Sequence, residues 1–183
     1  MNVYDFDKTI YSGDSTLDFY FFCLNRYPGI ITCIPKQLTA GIKYKAGMID
    51  KTHFKEEFYC FFSRLKDVNG IVLDFWNKNE GKIKKWYTTV HKEDDVIISA
   101  SPYFLLEEIC NRIKIHNLIA SEVDSKTGKY SGINCYGEEK VRRFRERFDS
   151  EIENFYSDSK SDQPMADIAR NKFIVKGNKI IQW

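Results

Sequence analysis

Short runs of β-forming residues recur along the chain. Each ends in polar side chains and is separated from the next by a stretch of helical periodicity. The runs are Val3-Tyr4-Asp5, Val96-Ile97-Ile98-Ser99, Leu118-Ile119-Ala120-Ser121, Asn154-Phe155-Tyr156-Ser157 and Phe173-Ile174-Val175. Leu106, Ile109, Cys110 and Ile113 share one face of a helix predicted over 102–115, and Val141, Phe144 and Phe148 one face over 138–148. Strands alternating with helices predict an α/β fold, a Rossmann-like parallel sheet with helices on both faces. Ligands bind such sheets beyond the carboxyl ends of the strands, where the polar residues stand here.

The interval between the first two runs is too long for a single crossover helix. It reads as mainly helical, with one apolar stripe at Leu17, Tyr20, Phe21 and Leu24 and another at Phe54, Phe58, Phe61, Phe62 and Leu65. Pro28-Gly29 and Asn69-Gly70 read as turns between helices. The expected organisation is an α/β core over 1–12 and 91–183 with a helical cap inserted over 13–90. Hairpins are expected at 124–129 and at 176–179, the latter before Ile180-Ile181-Gln182-Trp183.

Composition narrows the partners. Hydrophobic residues make up 43% of the chain, enough for a packed core, and 28 basic against 26 acidic residues leave +2, a balance that gives no reason to expect a polyanion-binding surface. The five cysteines show no C-x-x-C spacing and read as reduced thiols, and the three histidines lie too far apart for a zinc site. No apolar run reaches the roughly 18 residues of a membrane span, and the first residues lack signal-peptide character. A cytoplasmic protein without a membrane or nucleic-acid partner is expected, with the oligomeric state open. The basic-aromatic runs at 82–86 and 141–145 read as solvated helix faces, the second diluted by Glu138, Glu139 and Glu146.

Four polar stations follow the predicted elements. Asp5-Phe6-Asp7-Lys8-Thr9 places two carboxylates just after a short strand, where they are costly unless paired or metal-bound. One carboxylate can act as a nucleophile while its neighbour moves protons; the plain alternative is a turn or helix cap. A calcium loop is excluded, because Ile10 and Thr16 stand where it needs Gly and Glu. Ser99-Ala100-Ser101-Pro102 reads as a helix start with Ser101 as N-cap and an anion site at Ser99. Lys140 lies one turn into the next predicted helix. Asp158 ends a strand as a hard-cation ligand, and Asp162 precedes a helix as a candidate N-cap.

Carboxylate pair, hydroxyl, lysine and carboxylate pair, in that order, resemble the haloacid dehalogenase superfamily, specifically its phosphoserine-phosphatase-like branch with a helical cap after the first motif. The resemblance implies a phosphatase acting on a small phosphorylated metabolite. A phosphomonoester dianion repels a carboxylate nucleophile, so catalysis rests on charge compensation and alignment. The resemblance assigns Asp5 as nucleophile forming an aspartyl-phosphate, Asp7 as general acid and base, and Ser99, Ala100 and Lys140 as phosphate ligands. It assigns Mg²⁺ to the Asp5 and Asp158 carboxylates and the Asp7 carbonyl, with Thr9 and Asp162 in support.

The chain departs from that branch in several places. Ala100-Ser101 replaces Gly-Gly after the strand-end serine, and an ungapped placement puts Asp14 and Phe61 where the phosphoserine enzymes carry a head-group Glu and Arg. Losing that Arg removes a bidentate carboxylate clamp, unless Arg64 or Lys55 replaces it from another turn. Phe58, Tyr59, Phe61, Phe62, Trp76, Trp86 and Tyr87 are either core or an aromatic cage for a quaternary ammonium. The competing functions are a phosphotransferase using the same intermediate and a catalytically silent binding protein on the same fold. A dehalogenase is disfavoured by Asp7.

Overall fold

The computed structural model describes residues 1–183. Strand β1 (Asn2–Tyr4) is followed by α1 (Ser15–Arg26), a 3-10 segment (Pro28–Cys33), α2 (Ile34–Lys45), α3 (Lys51–Phe58), a second 3-10 segment (Tyr59–Arg64), α4 (Val68–Asn79) and α5 (Lys85–Val90). Then come β2 (Val96–Pro102), α6 (Tyr103–Arg112), β3 (Asn117–Ser121), α7 (Glu138–Arg147), β4 (Ile152–Ser157), α8 (Gln163–Asp167), β5 (Ala169–Lys176) and β6 (Lys179–Gln182). The sheet order is β3-β2-β1-β4-β5-β6. All neighbours are parallel except the β5–β6 hairpin. The α/β expectation holds.

Strand β1 is short but central, pairing with β2 through Val3 and Val96 and with β4 through Val3 and Phe155. The chain runs outward from β1 to β3 and then returns to β4 on the other side. Successive strand residues face opposite ways, so Val3, Val96, Ile98 and Phe155 pack under Val141, Phe144 and Met165 of α7 and α8. Tyr4 and Ile97 face the other core, against Leu105 and Ile109 of α6 and Phe19, Phe75 and Trp76 of the preceding helical block. The carboxyl ends of β1, β2 and β4 therefore meet at the reversal of strand order, where a crevice forms in sheets of this kind.

Several local expectations are corrected. The helix after β2 begins at Tyr103, not Pro102, because Ser101 and Pro102 stay extended and Pro102 pairs with Ser121. Asn69-Gly70 is not a turn but the first turn of α4, whose N-cap Asp67 accepts from the Gly70 N–H at 3.1 Å. The expected Phe54–Leu65 stripe breaks where α3 gives way to the tighter 3-10 turn. Phe61, Phe62 and Leu65 are buried, whereas Phe54 and Phe58 border a cleft. On α1, Tyr20 is buried while Leu17 and Phe21 are exposed. Both hairpin turns are present, one closing β5 onto β6 through Lys176 and Lys179 and one between the bridged residues Val123 and Tyr130. All five cysteines are free thiols, and no helix is long and apolar enough to cross a membrane.

Gly128 anchors the second of these turns against the helical block. Its φ is +75°, and a Cβ there would stand 2.6 Å from the Tyr59 carbonyl oxygen. Gly128→Ala is expected to lower the unfolding free energy by about 1–3 kcal/mol through overpacking and left-handed strain. Gly81→Ala, with nothing within 4 Å of the added Cβ, serves as the control. Urea midpoints that match for the two variants would contradict this account of the turn.

Candidate active site

Asp5 leaves the sheet directly after β1, and its N–H still donates to the Tyr156 carbonyl at 2.9 Å. The loop then folds back: the Ile10 and Tyr11 N–H groups donate to the Phe6 carbonyl, and Lys8 takes a φ of +59°. The Lys8 carbonyl accepts from the buried Lys84 ammonium, which also donates to the Gly177 carbonyl at 2.7 Å. The turn ends the strand just after Asp5, and Asp5 and Asp7, two residues apart, both line one cleft.

The cleft, about 470 Å³, is lined by Asp5, Asp7, Ser99, Ala100, Lys140, Asp158 and Asp162. The sequence's four stations therefore converge. Lys140 Nζ donates to Asp5 Oδ1 and to Asp162 Oδ2, both at 2.8 Å. Asp162 Oδ2 also accepts from Ser157 Oγ at 2.8 Å. Thr9 Oγ1 donates to Asp5 Oδ2 at 3.0 Å and accepts from the Asp158 N–H at 2.9 Å, joining the first and last stations. Asp162 is thus not the side-chain N-cap expected of it. It starts α8, but its carboxylate is held by Lys140.

Asp7 turns the other way. Its Oδ1 accepts from the Ser15 N–H at 2.6 Å, and its Oδ2 from Ser101 Oγ at 2.5 Å. Ser101 Oγ also lies 3.0 Å from Thr16 Oγ1, and its N–H donates to Ser99 Oγ at 3.1 Å. Ser101, expected to cap a helix, instead clamps a carboxylate from a distant part of the chain.

The environments separate the two aspartates of the first station. Burial pushes Asp5 up to about 7; Lys140 opposes this and Asp162 adds to it. Burial and then Asp14 push Asp7 up to about 6, against the hydrogen bonds from Ser101 and Ser15. Burial alone would lower the Lys140 pKa, but Asp5 and Asp162 outweigh it and hold the ammonium charged well above the ordinary lysine range. An acid poised near 6 suits proton transfer close to neutrality.

The donor set suits a hard cation. The half-buried Asp158 carboxylate accepts no hydrogen bond and makes no ion pair, although it borders the same cleft as Asp5. Burial raises its pKa, and Lys8 and Lys140 only partly offset that. No set of three or more His, Cys, Asp or Glu side chains forms a closed cage. Mg²⁺ binds through one or two carboxylates and keeps several waters, so Asp5 and Asp158 with a backbone carbonyl are an appropriate set.

The far wall comes from α1 and α3. Asp14 borders the cleft while capping α1, accepting from the Leu17 N–H at 3.0 Å. Phe61 is fully buried in the aromatic core, and Arg64 is exposed outside the cleft, so neither replaces the missing clamp. Of the seven aromatics read as either core or cage, only Phe58 and Tyr59 reach the cleft. Phe62, Trp76 and Tyr87 are core, and Trp86 packs near Tyr4 and Tyr156. Lys55 donates to the Ala100 carbonyl at 2.7 Å and to Asn134 Oδ1 at 3.4 Å, with no carboxylate partner. Burial and then Lys51 bring its pKa down to about 8. Lys51, Phe54 and Tyr136 were missed from the sequence. For Lys51 and Phe54 the signal was the spacing Lys51, Phe54, Lys55, Phe58, a single face of α3 that mixes cations and aromatics; Tyr136, in the loop before α7, carried no such signal.

The basic runs are largely accounted for within the fold. Lys82 pairs with Asp18 at 3.0 Å, and Arg142 and Arg143 pair with Glu139. Arg143 and Arg147 also donate to the Ala120 and Leu118 carbonyls of edge strand β3, so that face is less solvated than expected.

A family model described as haloacid dehalogenase-like hydrolase matches residues 3–167. No curated protein matches the sequence. Among solved structures, a Bordetella pertussis Tohama I protein with unknown function superposes with a TM-score of 0.76 at 16% identity, covering 94% of this chain and 87% of that one. A phosphoserine phosphohydrolase-like protein from Francisella tularensis gives 0.58 at 14% identity, with 94% and 86% covered. A probable phosphoserine phosphatase from Vibrio cholerae gives 0.58 at 11% identity, with 93% of this chain and 55% of that one covered. At these identities the likeness concerns the fold.

Removing Lys140 leaves two buried carboxylates without their shared cation. Lys140→Met is expected to cost about 3–5 kcal/mol near neutral pH. Without Lys140 opposing its burial, Asp5 would bind its proton still more tightly folded than unfolded, so the deficit shrinks as pH falls toward the ordinary carboxylate pKa of about 4. Urea unfolding of both proteins from pH 4.5 to 8 checks this; a deficit independent of pH would contradict the charge account.

Proposed function

Because the chain belongs to the haloacid dehalogenase-like hydrolases, we propose that it is a Mg²⁺-dependent phosphatase of small phosphomonoesters working through an aspartyl-phosphate on Asp5. The observation that carries this reading is the acidic floor of the cleft: one buried ammonium, Lys140, serves both Asp5 and Asp162, the Asp158 carboxylate beside them has no partner, and Lys55 stands on the opposite wall against the Ala100 carbonyl. A dianionic ester cannot approach that set without further positive charge. Asp5, Asp158 and the Asp7 carbonyl would hold Mg²⁺, which supplies that charge and favours the ionised form of Asp5.

The chain's own groups divide the remaining work. Lys140 has three N–H donors, and two are committed to Asp5 and Asp162. The third is left for a phosphoryl oxygen. Ser99 and Ala100 take another oxygen at the irregular end of β2. An Asp5 oxygen attacks phosphorus in line, the bond to the ester oxygen breaks, and Asp7 delivers its proton to that oxygen. Asp7 then takes a proton from water as the water attacks phosphorus, releasing inorganic phosphate and restoring the Asp5 carboxylate. Ser101 and the Ser15 N–H hold Asp7 pointed at the leaving group. Thr9 and Asp162 keep Asp5 and Lys140 in place.

Residues 13–90 act in this reading as a cap over the sheet, contributing Asp14, Lys55, Phe58 and Tyr59 to the cleft. In this reading they face the part of a small phosphorylated metabolite that lies beyond its phosphate. A panel of such esters with Mg²⁺ tests the proposal. Asp5→Asn is expected to reduce turnover by about four orders of magnitude, and EDTA to abolish it until Mg²⁺ is restored. Full activity in either case would overturn the reading.

A further inference from the structure

Residues 19–49 contain neither Asp nor Glu, although 26 acidic residues in 183 place about one at every seventh position on average. The same interval carries Arg26, Lys36, Lys43 and Lys45. Arg26 pairs with Asp74 and Lys36 with Glu57. Lys43 and Lys45 are exposed and make no ion pair.

This interval also holds a large share of the chain's exposed apolar surface. Helix α2 buries Gln37 and Ala40. On its opposite side, one turn apart, Leu38 is 64% exposed and Ile42 70%. Ile31 and Met48, 57% and 70% exposed, continue the apolar surface at the two ends of the helix. Phe21 of α1 is exposed too, and α1 is tied to α2 by Tyr20 Oη donating to Gln37 Oε1 at 2.8 Å. By helical geometry Lys43 and Lys45 flank the Leu38–Ile42 line on its two sides.

We propose that this outer face of α2 docks on the surface of an anionic lipid bilayer. A protruding apolar line flanked by unpaired lysines is the pattern of a helix lying in the membrane interface: the apolar side chains enter the acyl boundary and the ammonium groups meet anionic head groups. Side chains standing this far clear of their neighbours suit a fluid phase, whereas a protein partner must supply a fitted pocket for each. A second copy of the chain docked through this face would bring two sets of unpaired lysines, and no acidic residue of 19–49, into one interface. The expectation of no membrane partner rested on the lack of a spanning segment, and a face lying on the surface needs none.

Flotation of the full chain with vesicles tests this without reference to activity. Binding is expected to vesicles of phosphatidylcholine with phosphatidylserine and not to phosphatidylcholine alone, and to weaken as salt rises. The Leu38→Asp/Ile42→Asp and Lys43→Glu/Lys45→Glu pairs should each reduce it about tenfold or more. Leu73→Asp, an exposed apolar site on α4, should bind as wild type. Circular dichroism confirms folding of each variant, and the lysine pair alters no apolar contact. Absence of binding, or binding indifferent to the α2 variants, would overturn the proposal. So would a dimer in light scattering that the same variants dissociate.

Discussion

One buried ammonium organises the carboxyl edge of this sheet. Lys140, from α7, reaches Asp5 after β1 and Asp162 after β4, and all three side chains are nearly inaccessible to water. Burying these charges singly would cost several kcal/mol each; together their mutual attraction and hydrogen bonds offset much of that. The arrangement is demanding because two carboxylates share one cation. Asp5 keeps a pKa near 7 even with Lys140 in contact. The knot thus fixes the relation of three distant chain segments and leaves the Asp158 carboxylate beside it without a bonded cation.

Much of the architecture was legible from the sequence because it depends on local pattern. Short β-forming runs with polar ends marked the strands and also located the site, since strand ends converge where the sheet order reverses. The failures share a cause: tertiary partners overrode good local signals. A Ser-Pro pair has the chemistry of a helix start, yet Asp7, far away in sequence, claims the Ser101 hydroxyl and leaves Pro102 in the strand. Asn69-Gly70 has turn chemistry, yet Asp67 recruits the Gly70 N–H into a helix.

Site residues on the helical block were harder to read. Extending one helical period across 54–65 put Phe54 and Phe58 in one stripe with the buried Phe61, because the switch to 3-10 geometry after Phe58 rotates every later side chain. The same switch carries Arg64 to the surface and leaves Lys55 as the cation beside Ala100. The cleft consequently combines an acidic floor at the sheet with a wall that offers both Asp14 and Lys55. Overall charge balance concealed a second asymmetry: a net charge of +2 averages over an acid-free interval of 31 residues that exposes Phe21, Ile31, Leu38, Ile42 and Met48.

The nucleophile assignment is where the chemistry and the geometry meet, and it can be read directly by trapping. A phosphomonoester that turns over is mixed with the Mg²⁺-loaded protein, the reaction is quenched, and acyl phosphates are reduced with borohydride before peptide mass spectrometry. The account predicts conversion of Asp5, and of no other aspartate, to homoserine, dependent on both ester and metal. Turnover with Asp5 unmodified, or homoserine at Asp7, Asp158 or Asp162 instead, would contradict it.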